Sequence, residues 1–348
     1  MKPILLTALL AFSAIASAGL PTSGLPSGNT DIAVHVSNET IDQTQIGKAL
    51  TNAFLGEIEA NNVVIALKNE LGFVLDEDFR DLTVIAKAGD EKSFIALIRG
   101  KFNKARIEAF AATNKVPNRT VKGLKAWDAR ALGEAIAKAA GTEASKENAD
   151  VSVELVIVDG NTVVAAEASN IERAVTAATS SKAWKHAGLS TAEASVKNGW
   201  LLISANVAAI EEAEAAKRKP DAATTTEGKA SLAKRSGVKA VILALGENAT
   251  DVTLRINAEF VDEAAAKKNI SQAKGMLGFG SMLTMAADGD SAEVAANKAT
   301  GADVIRRINI TQNGAVGNAT LDYPIQKLAQ TIVRAAEARR EKAAGKGK

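Results

Sequence analysis

The strongest constraint on this chain is an order of signals that recurs along it: an apolar run, a turn, a second apolar run, then an amphipathic stretch. It is clearest at residues 80–114, RDLTVIAKAGDEKSFIALIRGKFNKARIEAFAATN. Leu82, Val84 and Ala86 alternate as in a strand, and Ala88-Gly89-Asp90-Glu91 turns the chain. Residues 94–98 are continuously apolar, the pattern of a strand covered on both faces. Asn103 is placed to cap a helix whose Ile107, Phe110 and Ala111 share one face.

The same outline returns around Asp159-Gly160, Asn198-Gly199, Gly246-Glu247-Asn248 and Asn313-Gly314. In the fourth unit Val252, Leu254, Ile256 and Ala258 oppose Asp251, Thr253, Arg255 and Asn257, so that strand has one wet face. Its helix carries Ala266, Ile270, Ala273 and Leu277 on one side. Between units, residues 31–36 read as a strand followed by a capping box at Thr40-Ile41-Asp42-Gln43, and 119–126 as one strand before a helix capped by Asp128. The units start at uneven intervals, so the chain is not a solenoid. Hairpin-then-helix order predicts an α+β fold of mainly antiparallel sheets, with helices packed on one sheet face.

Two similar halves are expected: residues 31–185 and 186–335, each with its own sheet, or with both sheets fused into one curved surface. Residues 1–18 read as a signal peptide: Lys2, an apolar stretch 4–15, and a small-residue cleavage site at Ala16-Ser17-Ala18. The apolar stretch is shorter than the roughly 20 residues a membrane span needs. Cleavage after Ala18 would leave a flexible leader, 19–30, and place the protein in the periplasm or outside the cell. Residues 336–348 form a basic C-terminal tail.

Composition narrows the function. There is no cysteine, so disulfides, thiolate metal sites and cysteine nucleophiles are excluded. Aromatic residues are only 4%, so the core must be built from Val, Ile, Leu and Ala. The formal charge of +2 misleads, because without the signal peptide and residues 334–348 the net charge is −3. A nucleic-acid partner needs a basic face, and this chain has only a basic end.

The run DFRDLTVIAKAG followed by IRGKFNKARI resembles a group of bacterial exported proteins with no assigned activity. They share an arginine–aspartate pair before a strand and an arginine–glycine–basic–phenylalanine step into a helix, matched here by Arg80-Asp81 and Arg99-Gly100-Lys101-Phe102. The resemblance implies export and an α+β outline, and no mechanism.

Candidate sites are few. His35 and His186 have no partner spacing for a metal or a triad. The acidic turns Asp76-Glu77-Asp78 and Asp288-Gly289-Asp290 lack EF-hand spacing. No catalytic residue, metal ligand or cofactor is assigned. Arg80, Asp81 and Arg99 are expected to form an ion-paired corner of the sheet, with an enzyme built on Asp78, Arg80 and Asp81 as the weakest reading. Residues 275–285 carry Met276, Leu277, Phe279, Met282, Leu283 and Met285 among three glycines, an adaptable apolar loop or helix extension suited to a hydrophobic ligand or a protein partner. The leading expectation is a non-catalytic exported protein acting by surface contacts. The alternative is a carrier of a hydrophobic small molecule or lipid in a cavity between sheet and helices.

Overall fold

The computed structural model describes residues 30–143, 152–179, 187–217, 236–284 and 292–345. Its strands are β1 (Ile32–Ser37), β2 (Phe79–Lys87), β3 (Asp90–Gly100), β4 (Asn118–Val121), β5 (Leu124–Asp128), β6 (Val153–Ile157), β7 (Thr162–Glu167), β8 (Gly199–Asn206), β9 (Val238–Glu247), β10 (Asp251–Phe260), β11 (Asn309–Asn313) and β12 (Val316–Pro324). All twelve join one sheet in the order β11-β12-β10-β9-β8-β1-β2-β3-β7-β6-β5-β4, and every neighbouring pair is antiparallel. The α+β class and the antiparallel hairpin units stand. The sheet is continuous: β1 lies at its middle, pairing Val34 with Val84 of β2 on one side and with Ile203 of β8 on the other.

That position of β1 corrects the reading of the third unit. The segment before Asn198-Gly199 is a helix, Ala187–Ser195, not a strand. The place a hairpin partner of β8 would occupy is taken by β1, from far away in the chain. A second correction concerns residues 119–126. They are a hairpin, not one strand, because Lys122 and Gly123 both adopt positive φ (50° and 79°), the backbone of a tight two-residue turn.

The helices are α1 (Asn38–Gln43), α2 (Gln45–Glu59), α3 (Asn62–Ala66, continued by a π-turn at Leu67–Leu71), α4 (Leu75–Asp78), α5 (Lys104–Thr113), α6 (Ala129–Ala139), α7 (Ile171–Thr179), α8 (Ala187–Ser195), α9 (Val207–Lys217), α10 (Glu263–Leu283), α11 (Ala292–Arg307) and α12 (Ile325–Gly345). The caps expected at Asn103 and Asp128 form as read, and Asn206 and Asp262 cap α9 and α10 in the same way, each side chain accepting a backbone N–H three residues on at 2.7–3.1 Å. The box at Thr40 does not set the start of its helix. Ser37 caps α1 instead, accepting from Thr40 N at 3.1 Å, and the helix breaks at Thr44.

Helices cover both faces of the sheet rather than one. On the first face Ala33, Ile85, Ile95, Val156 and Val164 pack with Ala174 and Val175 of α7 and Leu189 and Ala192 of α8. On the second face Trp127, Ile157 and Val163 pack with Leu67, Leu71, Ile107, Phe110, Leu132 and Ile136 from α3 to α6. The reason is in the strands: residues 94–98 and 163–166 are apolar at every position, so both faces need cover. Gly100 and Phe102 of the Arg99-Gly100-Lys101-Phe102 step belong to this second layer. A side chain at Gly100 would collide with the Asp78 carbonyl, and Phe102 stacks on Phe73 with ring centroids 5.4 Å apart.

The second half is tied in by one buried carboxylate. Glu247, at the end of β9, accepts from Gln45 N at 2.7 Å and Ile46 N at 3.0 Å, so it caps α2 from across the fold. Glu247→Ala should therefore cost about 2 kcal/mol of stability in urea unfolding, and Glu247→Gln, which keeps an acceptor, about half of that. Equal, near-zero effects of both substitutions would contradict this role.

Candidate functional site

Three places hold the residues singled out in the sequence or left unexplained by the core. The first is a polar row on the first face of the central strands. Register places Ser37 beside Asp81, and His35 beside Thr83, with Arg99 across from Asp81. Arg99 Nε donates to Asp81 Oδ1 at 2.8 Å. Asp81 is buried while Arg99 stays half-exposed at the rim. Burial raises the Asp81 pKa, and the hydrogen bond and charge of Arg99 offset part of that rise.

His35 is buried beside this pair. Burial, then the charge of Arg99, lowers its pKa to about 2, so the ring is neutral. Neither His35 Nδ1 nor Thr83 Oγ1 has a hydrogen-bond partner among the described residues. The Ser37 hydroxyl is engaged with Thr40 as the α1 cap, at 2.8 Å from its hydroxyl. In this row no base is aimed at a nucleophile.

Arg80 does not join the row. It is the extra residue of a bulge where β2 passes β3, and its side chain is exposed. Asp78 turns elsewhere again: its Oδ2 accepts from Val74 N at 2.8 Å, and its Oδ1 lies 4.0 Å from Lys101. Asp78, Arg80 and Asp81 are neighbours in sequence and do not converge in space. His186 and Asp288-Gly289-Asp290 lie outside the described residues.

The second place is the second face of the sheet under α2, α10, α11 and α12. Two rows of aliphatic side chains run across four strands there. Ile203, Leu243, Ile256 and Ala319 are successive register partners, and so are Leu201, Leu245, Leu254 and Leu321. Every one of the eight is only half-buried. On the same face of the first half Val84, Ala96 and Val163 are buried, and Ile98, Ala165 and Leu155 are half-buried.

The helices above these rows are anchored at the margins. Val252 packs with Ile46 and Ile325, Ile270 of α10 reaches Gly317, and Arg307 of α11 sits 5.7 Å over the Tyr323 ring. Side chains on the helices repeat the pattern: Leu50 of α2 and Leu328 and Ile332 of α12 are half-buried. The result is an apolar layer in which strand residues and the helix residues facing them are in contact and half-buried. Close-packed cores do not leave a contiguous array of large aliphatic groups in this condition. Sequence reading found the alternation in β10, but the extent of helix cover above it has no local signal.

The third place is the end of α10. Of the two readings of residues 275–285, the helix extension is what forms: α10 runs through Leu283, and α11 follows at Ala292–Arg307. The two helices approach closely, since a side chain at Gly280 would meet Ile305 and one at Gly301 would meet Thr284. Ala266 and Ile270 are buried, and Ala273 and Leu277 half-buried, as the spacing predicts. Met276 and Phe279, by contrast, are 75% and 62% exposed. Met282 and Leu283 lie in the last turn of α10, and Met285 lies outside the described residues.

No protein-family model matches the chain, and no curated protein matches it. Among solved structures it is similar to three crystal forms of TP0453. Form III has 8% identity over 91% of this chain and 99% of that one, with a TM-score of 0.43. Form IV has 8% over 90% and 97%, with 0.42, and form I has 7% over 92% and 99%, with 0.38. Likeness at this level carries no argument about function. No helix among the described residues is long and apolar enough to cross a membrane.

The polar row makes a prediction in acid. The unfolded chain protonates His35 below about pH 6.5, whereas the folded ring stays neutral down to about 2. Stability is thus lost as pH falls through that window. Asp81 works in the opposite sense: its folded pKa is raised, so its contribution is fullest below the unfolded value of about 3.9 and is lost as pH rises through the folded one. His35→Phe should flatten the loss of urea midpoint between about pH 6.5 and 4.5, and Asp81→Asn should remove the opposing slope that begins near pH 4. A His35→Phe profile parallel to wild type would contradict the assignment.

Proposed function

We propose that this chain is a non-catalytic carrier of an elongated hydrophobic molecule, held in the layer between the sheet and α2, α10, α11 and α12. The observation that carries this reading is the pair of half-buried rows, Ile203–Leu243–Ile256–Ala319 and Leu201–Leu245–Leu254–Leu321. An acyl chain laid on these rows would remove further apolar surface from water, at roughly 25 cal/mol per Å². The opposite side of β10 and β12 is polar, where Thr253 and Arg255 both bind Asp322 at 3.0 and 2.8 Å, and that of β8 and β9 is filled by buried Leu202 and Ala244. The apolar side is therefore where such a ligand would bind.

Export belongs to the same proposal. It rests on Lys2, the apolar stretch 4–15 and Ala16-Ser17-Ala18, all outside the described residues, together with the resemblance carried by Arg80-Asp81 and Arg99-Gly100-Lys101-Phe102. A carrier and a protein acting by surface contact are compatible, because cargo has to be handed on. The contact reading has its own observation in exposed Met276 and Phe279.

The test is binding of a dansyl-labelled fatty acid, with native mass spectrometry of the purified protein. The expected result is a displaceable 1:1 complex, weakened about tenfold or more by Ile256→Trp, which fills the middle of the layer. Val164→Trp is no control, since it would disrupt a packed core; Val333→Trp on exposed α12 is, and should bind as wild type. Absence of probe binding, or equal binding by Ile256→Trp, would overturn the proposal.

A further inference from the structure

We infer that the exposed flank of α10 is a docking surface for an anionic lipid bilayer. The inference stands on its own residues and does not require the apolar layer to carry cargo. Met276 and Phe279 are the two most exposed large apolar side chains among the described residues, and at i and i+3 they share one flank of the helix. Gly275 and Gly278 beside them face open space, so no described part of the chain covers this flank.

Charge selects the occupant. Between Glu263 and Asp288 the chain has three cations, Lys267, Lys268 and Lys274, and no acidic residue. All three are exposed, and none has a carboxylate partner among the described residues. This is a cationic segment in a body whose net charge, without residues 1–18 and 334–348, is −3, so an anionic surface attracts α10, together with the basic end at 334–348, and not the body between them. A methionine and a phenylalanine at headgroup depth, with Lys268 on their flank and Lys267 and Lys274 on the other exposed margin of the helix, is the chemistry of an interfacial helix lying in the bilayer plane. A second copy of the chain docking here would bring two lysine sets together, which disfavours it.

The experiment is co-sedimentation of the full chain with phosphatidylcholine vesicles, with and without about one-third phosphatidylglycerol. The account expects binding to the anionic vesicles that falls about tenfold in the double variant Met276→Ser/Phe279→Ser. It expects a comparable fall in Lys267→Gln/Lys268→Gln/Lys274→Gln, and on raising salt from about 0.1 to 1 M. All five positions are exposed, so folding, followed by circular dichroism, should be unchanged. Phe279→Trp adds a direct readout, a blue-shifted emission on anionic vesicles only. Equal binding by the variants, salt-insensitive binding, or no binding by the wild type would overturn the inference. So would a dimer in light scattering that the serine variants abolish, since that assigns the flank to a second copy.

Discussion

The pairing of β1 with both β2 and β8 is the contact on which the rest of the molecule depends. Residues 32–37 fill the central slot of a twelve-stranded sheet, and the strands on either side belong to different halves of the chain. Asp31 reinforces the joint. Its carboxylate accepts from Ala88 N and from Asn206 Nδ2, both at 3.0 Å, so one residue ties the β2–β3 turn and the end of β8 to the same strand. A strand in this position has neighbours on both sides and helices on both faces, which explains why Ala33 and Val34 are fully buried and why even His35 is drawn in as a neutral ring.

One continuous sheet then serves two purposes along its length. Around β3, β7, β6 and β5 it is a filled three-layer core, with Val156 and Ile157, and Val163 and Val164, packed on opposite faces. Around β8, β9, β10 and β12 the second face is apolar and half-buried, while the first face is packed at β8 and β9, where Leu202 and Ala244 are buried, and polar at β10 and β12. The proposed ligand layer lies in the second of these two regions. Glu247 links them, because it fixes the start of α2 over the margin of the apolar layer.

Much of the fold was legible in the sequence. Turns at Asp159-Gly160 and Asn313-Gly314, caps at Asn103, Asp128 and Asp262, and the two-sided pattern of β10 are local chemistry, and local chemistry is what a sequence displays. What escaped notice was set at a distance. The strand neighbouring β8 comes from residues 32–37, so no turn signal announces it. The start of α2 is capped by Thr44, which accepts from Gly47 N at 2.9 Å, and by Glu247, some 200 residues away, neither of which belongs to the Thr40 box. The cluster Asp78, Arg80, Asp81 looked like a site because its members are adjacent, but a bulge and strand alternation separate them. Residues 275–283 were recognised as apolar and unusual; that they form a helix exposing Met276 and Phe279 follows from packing against α11, which the glycines there obscured.

The central claim is that the half-buried rows under α2 and α10–α12 receive a hydrophobic ligand. Methyl-resolved nuclear magnetic resonance during titration with a long-chain fatty acid tests it most directly. The account predicts shifts at Leu243, Leu254, Ile256 and Leu321, with Val156 and Val164 in the filled core unmoved. Shifts absent from those four residues, or confined to Met276 on the outer flank of α10, would contradict it.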